Sequence, residues 1–226
     1  MEIIWVYAKH LKHGRIVGRR GDNRVQKIPT LFIDEHRGEG RRATGVVRAG
    51  FEWVMRGKGI ATEKVDGVPC AIIKGRLWKR IITCSRKCLE EPPNGIPCQQ
   101  FPDKKTGQMP WWVPVTDTPE NKWLIEAYLN TPWNHEDGTY EAVGLHFNKN
   151  PYGLDADFLE AHGRIRVPDF PRDFAGMREY FRTHEIEGIV FWNGGEPRCK
   201  VKRIEFGFDW GTKKRLEETA ERILEK

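Results

Sequence analysis

The sequence predicts an α+β fold in which strands outnumber helices. The segments with the alternation or the β-branched content of strands are residues 59–62, 68–73, 140–144, 187–191 and 200–202. Few segments have the spacing of amphipathic helices. At 226 residues the chain is long enough for a substantial core and is near the upper size of one domain. We therefore expect a single domain over residues 1–226.

The turn between the first two predicted strands carries the most informative residues. It reads Glu63-Lys64-Val65-Asp66-Gly67, which places a lysine amine at a strand end beside a carboxylate and a glycine. A lysine amine is a potential nucleophile, and glycine lets a phosphate approach the backbone closely. On its own this short pattern is weak evidence, and the later strands strengthen it.

Charged side chains recur on those later strands. Lys200 and Lys202 lie two residues apart, so they project from the same face of a strand, about 6.5 to 7 Å apart. Two ammonium groups on one face suit a polyanion. Glu141 and Glu187, which we expect on neighbouring strands, complete a set that could hold a divalent cation and a nucleoside triphosphate against Lys64.

The helices are predicted from capping residues and apolar spacing. One helix begins with Thr118 as N-cap and Pro119 at its first position, and it ends before Pro132. A second follows Asp173 and places three apolar side chains on one face, those of Phe174, Met177 and Phe181. A short C-terminal helix is expected at about residues 212–226.

Two segments read as irregular structure. Residues 34–45 form a charged, glycine-containing stretch that we predict to be a loop. Residues 91–110 carry many prolines and glycines and are also predicted to be irregular. The second is long enough to form part of a surface that faces a substrate.

Composition is compatible with a polyanionic partner but does not require one. The formal net charge is +6 and the pI is near 9.1, a modest surplus on a chain with 38 basic and 32 acidic residues. Basic residues cluster at residues 15–24 and 37–48. Contact with phosphates and an ordinary solvated loop are equally good interpretations of these clusters. Nine tryptophans offer surfaces for base stacking, although most are expected in the core or lining a groove.

Targeting signals and cysteine usage predict a cytoplasmic protein. The chain has no apolar run of 18 residues and no signal-peptide pattern at its start. Its five cysteines are odd in number and form no C-x-x-C pair, which argues against a secreted disulfide framework. Cys84, Cys88 and Cys98 lack a fourth ligand at the usual spacing, so a zinc site is disfavoured.

Taken in order, these residues resemble the motifs of the covalent nucleotidyltransferases, which comprise ATP-dependent DNA and RNA ligases and mRNA-capping guanylyltransferases. The turn at Lys64 to Gly67 is similar to motif I, Glu141 to motif III, Glu187-Gly188 to motif IV, and Lys200 with Lys202 to motif V. The resemblance is closer still to the ATP-dependent 5′-to-3′ RNA ligases that include a vertebrate member. It covers residues 27 to about 210 and includes Pro110-Trp111-Trp112-Val113-Pro114 and Asn150-Pro151-Tyr152-Gly153-Leu154.

This resemblance implies a fold and an activity. The fold is a nucleotidyltransferase (adenylation) domain of two antiparallel β-sheets flanked by helices, ATP-grasp-like, with the nucleotide in the groove between them. Only 24 residues follow Lys202, so we expect no appended OB-fold. The activity is ATP-dependent joining of RNA 5′-phosphate and 3′-hydroxyl ends through a lysyl-AMP intermediate, with Mg²⁺ or Mn²⁺ as the metal and no membrane partner.

The resemblance also implies roles for individual residues. Lys64 is the nucleophile, with Lys200 and Lys202 as the other catalytic residues. Glu141 contacts the ribose, Glu187 binds metal or metal-bound water, and Asp66 orients the turn or a metal-bound water. The nucleotide-binding set is completed by Glu63, Gly67, and Arg80 with Arg86 as the fallback.

The expected nucleophile needs help from its surroundings. An ordinary lysine, with a pKa of about 10.4, is neutral in only about one molecule in a few thousand at pH 7. The divalent cation and the like charges of Lys200 and Lys202 would each disfavour the ammonium form.

Two other functions stay open from the residues. A capping-type guanylyltransferase would form its adduct from GTP, and a catalytically silent RNA-binding module would form none. Motif III here lacks the aspartate-glycine pair that precedes it in DNA ligases, which favours the RNA-ligase branch.

Overall fold

A computed structural model describes residues 28–37, 40–84, 91–104, 106–131 and 136–211. These form two compact units. The first unit contains residues 28–65 and 163–211, and the second contains residues 66–162. The predicted C-terminal helix at about 212–226 lies outside the described residues, and the prediction of one domain over the whole chain stays a prediction. No helix in the described ranges is long and apolar enough to cross a membrane.

Strands dominate both units, and every pairing between named strands is antiparallel, which confirms the predicted α+β class. The described strands are β1 (Phe32–Arg37), β2 (Gly40–Val47), β3 (Ile60–Lys64), β4 (Val68–Ile73), β5 (Arg76–Cys84), β6 (Ile96–Pro97), β7 (Gln108–Pro114), β8 (Gly138–Val143), β9 (Phe158–Ala161), β10 (Gly188–Asn193) and β11 (Glu196–Lys202). The α-helices of the described residues are α1 (Glu52–Met55), α2 (Lys122–Asn130) and α3 (Phe174–Thr183), and Pro119–Asn121 and Arg203–Phe206 are short 3₁₀ helices.

The first unit is built on a three-stranded sheet in the order β11-β10-β3. Side chains alternate between its faces, and one face is mostly apolar. That face packs on a buried core with α3, to which the sheet contributes Ala61, Ile189, Phe191, Cys199 and Val201. The opposite face is therefore free to carry polar groups.

Helix α3 confirms the predicted helix after Asp173. The Asp173 carboxylate caps it by accepting a hydrogen bond of 2.8 Å from the backbone N–H of Gly176. Met177 and Phe181 are buried in the core of the first unit. At the other end of the helix, the Arg203 guanidinium donates to the Phe181 and His184 carbonyls, which satisfies acceptors that a helix end leaves free.

The prediction of a loop at residues 34–45 is wrong. The described residues of this stretch, 34–37 and 40–45, lie in the antiparallel pair of strands β1 and β2. Their charges misled the prediction, because the polar side chains lie on a half-exposed ribbon while Phe32, Ala43 and Val47 pack against the core. Asp34 ties the ribbon together through ion pairs with Arg41 at 3.1 Å and Arg48 at 2.6 Å.

The second unit contains a six-stranded sheet in the order β6-β7-β5-β4-β8-β9. Helix α2 packs on one face of it through Leu124 and Ala127, against Ile72 and Leu159. The helix predicted from Thr118 is present as a 3₁₀ turn followed by α2. Residues 91–110 were predicted to be irregular. The structure places the two-residue strand β6 within this segment and the first residues of β7 at its end.

Gly188 is required by the close approach of β10 and β11. A Cβ atom at this position would lie far inside van der Waals contact with the Val201 carbonyl oxygen, and 3.1 Å from the Cα of Lys202. Because the obstacle is backbone of the paired strand, the side chain cannot be accommodated by a rotamer change.

We therefore expect Gly188→Ala to destabilise the first unit by about 1 to 3 kcal/mol. Thermal and urea unfolding would measure the loss. The matched control is Gly138→Ala, a strand glycine in the second unit whose added Cβ would meet its nearest atom at 3.8 Å. Equal stability of the two variants would show that β10 and β11 can move apart with little loss of free energy of unfolding.

Candidate functional site

The polar face of the first unit's sheet carries a row of lysines. Gly188 is paired with Lys64 of β3 on one side and with Lys202 of β11 on the other. Val190 is likewise flanked by Thr62 and by Lys200. Directly paired residues share a face, so all three predicted catalytic lysines lie on one side of the sheet.

Glu187 joins two of these lysines. Its Oε2 accepts a hydrogen bond of 2.5 Å from Lys64 Nζ, and its Oε1 lies 3.0 Å from Lys202 Nζ. The side chains of Lys64 and Lys202 are 21% and 29% exposed, whereas that of Glu187 is only 9% exposed. A mostly buried carboxylate thus pairs with two ammonium groups and leaves a net charge of about +1, on lysines that a solvent-borne ligand can still reach.

Lys200 lies in a different electrostatic environment. Burial lowers its pKa to about 8, the charges of Lys202 and Lys64 act in the same direction, and the carboxylates of Glu187 and Glu205 oppose them. No ion pair is found for Lys200 in the described part of the chain. An ammonium that is partly desolvated and repelled by its neighbours has a strong electrostatic preference for an incoming anion.

Glu205 is a member of this cluster that the sequence did not predict. Its Oε2 accepts a hydrogen bond of 3.0 Å from the backbone N–H of Lys202, which fixes the end of β11. Burial raises the pKa of Glu205, although the hydrogen bond and the neighbouring lysines oppose the shift. The N-cap residue here is Lys202, which is not one of the residues that mark a capping box in a sequence, so no local signal pointed to Glu205.

The predicted nucleotide-binding residue Glu63 lies elsewhere. It is paired with Ile189, so its side chain lies on the opposite face from Lys64. The expectation that Glu141 and Glu187 lie on neighbouring strands is wrong. Glu141 is in β8 of the six-stranded sheet and Glu187 directly precedes β10 of the three-stranded sheet, because the long connection from residue 144 to 187 leads into a different sheet.

The second unit holds the rest of the predicted turn. Tyr152 accepts a hydrogen bond of 2.6 Å from the backbone N–H of Asp66. The Asn148 side-chain amide donates to Asp66 Oδ1 at 2.8 Å and to the Gly67 carbonyl at 2.9 Å. Asn148, Lys149 and Asn150 all have positive φ, a conformation that asparagine tolerates better than most residues. This turn therefore fixes Asp66 and Gly67.

Glu141 has one free carboxylate oxygen. Its Oε1 lies 3.1 Å from His162 Nε2, and His162 Nδ1 lies 2.8 Å from the Thr139 hydroxyl. Its Oε2 is buried and has no hydrogen-bond partner among the described residues. Because a buried carboxylate oxygen without a partner is costly, this atom is suited to accept a hydrogen bond from a ligand.

Arg80 shares a sheet face with Glu141. Ala71 is paired with Trp78 on one side and Thr139 on the other, and Arg80 and Glu141 each lie two residues further along the same strands. Two strand spacings separate them, about 10 Å. Arg86, the fallback for Arg80, lies outside the described residues.

Comparison with known proteins gives one relationship. No family model matches the chain. Its sequence is 25% identical to RNA ligase 1 of Rattus norvegicus and 26% identical to RNA ligase 1 of Mus musculus, with 67% of this chain and 68% of each relative covered. The resemblance to RNA ligases is thereby confirmed at a distant level. The chain is a distant relative of the proteins named RNA ligase 1.

Proposed function

We propose that this protein is an ATP-dependent RNA ligase that joins RNA 5′-phosphate and 3′-hydroxyl ends through a lysyl-AMP intermediate on Lys64. The observation that carries the proposal is the cluster on one sheet face, where Glu187 pairs with Lys64 and Lys202 and where Lys200 is partly desolvated. The similarity to RNA ligase 1 supports RNA as the substrate. The nucleotidyltransferase (adenylation) fold is part of the same proposal.

In the first step, the Lys64 amine attacks the α-phosphorus of ATP. A P–N bond forms, the bond to the bridging oxygen breaks, and pyrophosphate leaves with the electron pair. The amine must first give up its proton, to water or to the Glu187 carboxylate that accepts its hydrogen bond at 2.5 Å, and must separate from that carboxylate. Phosphates bound at Lys200 and Lys202 compete with Glu187 as acceptors for the lysines, so their binding favours that separation.

In the second and third steps, AMP passes to RNA and is then released. An RNA 5′-phosphate oxygen displaces Lys64 from phosphorus, and the RNA 3′-hydroxyl then attacks the activated 5′-phosphate and expels AMP. Lys200 and Lys202 face the same side of the sheet as Lys64 and would stabilise negative charge at each transfer. For Glu141, we propose a hydrogen bond from a ribose hydroxyl to its free Oε2.

We assign the divalent cation of this proposal, Mg²⁺ or Mn²⁺, to the first unit. The described residues contain no group of three or more His, Cys, Asp or Glu side chains that could hold a metal alone. Mg²⁺ in phosphoryl-transfer sites commonly takes one or two carboxylates and completes its shell with phosphates and water. Glu187 would hold it, and the cation would supply neutralisation of the phosphate charge. For Asp66, the hydrogen bond from Asn148 favours a role in orienting its turn.

The proposal is tested by incubating the protein with α-³²P-labelled ATP or GTP and Mg²⁺, followed by denaturing electrophoresis. We expect a covalent label from ATP and its transfer to RNA that carries a 5′-phosphate. A label from GTP instead would identify a guanylyltransferase. No label from either nucleotide, with Mn²⁺ also tried and prebound AMP excluded, would overturn the enzyme proposal and favour a silent RNA-binding module.

The position of Lys200 predicts a pH dependence for nucleotide binding. Below its pKa of about 8, Lys200 is an ammonium and attracts the phosphates. As the pH rises through that value the free protein loses this charge, so ATP binding weakens by up to about tenfold per pH unit, since each binding event must then take up a proton.

Calorimetric titration with ATP in EDTA, at pH values on both sides of 8, measures this dependence. The phosphates of ATP are already ionised over that range. The matched variant Lys200→Met should bind more weakly at low pH and lose most of the dependence. An unchanged slope in Lys200→Met would assign the titration to another group.

A further inference from the structure

The three-stranded sheet of the first unit is extended by a short segment beside β3. The Glu63 N–H donates to the Ile165 carbonyl at 2.8 Å, and the Val167 N–H donates to the Ala61 carbonyl at 2.9 Å. Thr62 and Arg166 are therefore directly paired in antiparallel fashion. Since paired residues share a face, Arg166 lies on the same face as Thr62, Lys64 and Lys200.

Arg166 has an unsatisfied donor in this position. Its Nε atom is buried and has no hydrogen-bond partner within the described part of the chain. A buried donor on a charged group is costly to leave unpaired, so its retention requires an explanation. Arginine also remains charged at any pH relevant to a protein, which excludes relief by deprotonation.

The neighbouring hydroxyl does not supply the missing acceptor. Thr62 Oγ1 accepts a hydrogen bond of 2.8 Å from the Trp192 indole N–H and donates to the Val190 carbonyl at 3.4 Å. This threonine is fully buried and both of its hydrogen-bonding functions are used within the sheet. Thr62 therefore forms, with Val190, the uncharged surface between the cationic side chains.

Cationic side chains lie on both sides of this uncharged surface. Lys200, Val190, Thr62 and Arg166 form one row across the sheet, with the two uncharged residues in the middle. Three strand spacings separate the ends of the row, about 14 Å. Lys64 and Lys202 occupy the adjacent row on either side of Gly188. Arg166 thus lies at the fourth corner of a cationic field whose other three corners are Lys64, Lys200 and Lys202.

We infer that Arg166 is a phosphate-binding residue, whose guanidinium donates to an oxyanion of the substrate bound on this face. A planar guanidinium matches the geometry of phosphate oxygens better than an ammonium does, and phosphate supplies the acceptor that the buried Nε lacks. Whether this phosphate belongs to ATP or to an RNA end is an assignment that rests on the proposed function. The existence of an anion site is argued from the geometry of the first unit alone.

The test begins with binding of inorganic pyrophosphate, and of ATP in EDTA, measured by calorimetry. We expect Arg166→Gln to weaken both by about tenfold or more, because a charge-assisted hydrogen bond is lost. Arg166→Lys should recover part of the affinity. The matched control is Arg182→Gln, which removes an exposed arginine of α3 that pairs with Glu179, and it should bind as the wild type does.

Two activity measurements then distinguish the sources of the phosphate. Slower formation of the AMP adduct, with normal sealing of pre-adenylylated RNA, would assign Arg166 to the phosphates of ATP. The reverse pattern would assign it to the RNA end. If the wild type forms no adduct but pyrophosphate binding still depends on Arg166, the proposed function fails and the anion site stands. Pyrophosphate affinity within twofold of wild type in a folded Arg166→Gln variant would overturn the inference.

Discussion

Replacement of Lys64 by alanine is expected to abolish the covalent AMP adduct and to lower ATP-dependent RNA joining by more than about 10³-fold. The reason is chemical, because the amine is the atom that forms the P–N bond and no other group on this face is placed as it is. Lys200 and Lys202 lie on β11, two strands away from β3, so neither occupies the position of the missing amine. Adduct formation with labelled ATP and Mg²⁺ measures the loss.

Lys64→Arg is the informative companion to the alanine variant. It keeps a positive charge that can pair with Glu187, but a guanidinium stays protonated and is not a nucleophile. We expect it to be as inactive as Lys64→Ala while retaining the stability of the wild type. Both variants should still seal pre-adenylylated RNA, since that step does not use the amine. An adduct of wild-type yield in either variant would show that another residue accepts AMP.

The alternation of side chains along strands made the face of the site predictable. Lys200 and Lys202 were expected on one face from their spacing alone, and the register of β11 against β10 places them there. The helix after Asp173 was predictable for the same reason, since its capping residue and its apolar side chains lie within a few residues of one another. Predictions of this kind depend on short-range geometry, which the sequence carries directly.

Pairing between distant segments was not predictable in the same way. Lys64 and Glu187 are 123 residues apart, and only the register of β3 against β10 brings them within 2.5 Å. The sequence therefore offered Glu187 as a metal ligand but gave no sign that it is also the counter-ion of two lysines. Arg166 escaped notice for the same reason, because its pairing with Thr62 lies in a segment without strand periodicity.

Charge misled the prediction where the fold is a thin ribbon. The paired strands β1 and β2 have polar residues at seven of their fourteen positions and glycine at two more, and this composition is typical of a loop. Its few apolar side chains and the ion pairs of Asp34 are enough to define it once the rest of the first unit is present. Such a ribbon depends on tertiary contacts, which a local pattern does not contain.

The arrangement of Glu187 explains how the first unit keeps its lysines together before a nucleotide arrives. Lys64, Lys200 and Lys202 would repel one another, and repulsion already contributes to the lowered pKa of Lys200. A carboxylate with one oxygen on each of two lysines offsets this repulsion and fixes the distance between them. The same carboxylate must then give up at least one of these contacts when phosphates and a cation bind.

Glu187→Gln is accordingly expected to slow lysyl-AMP formation by about 10²-fold and to destabilise the protein by about 1 to 3 kcal/mol. Glutamine keeps the size of the side chain but cannot neutralise two ammonium groups, which are still partly exposed, so the loss of stability is smaller than for a fully buried pair. Single-turnover adduct formation and urea unfolding measure the two effects.

The matched control is Glu179→Gln, which breaks an exposed pair with Arg182 and should change neither the rate of adduct formation nor the stability. Glu187→Asp keeps the charge but is too short to reach both lysines, so we expect an intermediate rate. If Glu187→Gln formed the adduct at the wild-type rate, the strand backbone alone would position the lysines, and Glu187 would have no part in the first step.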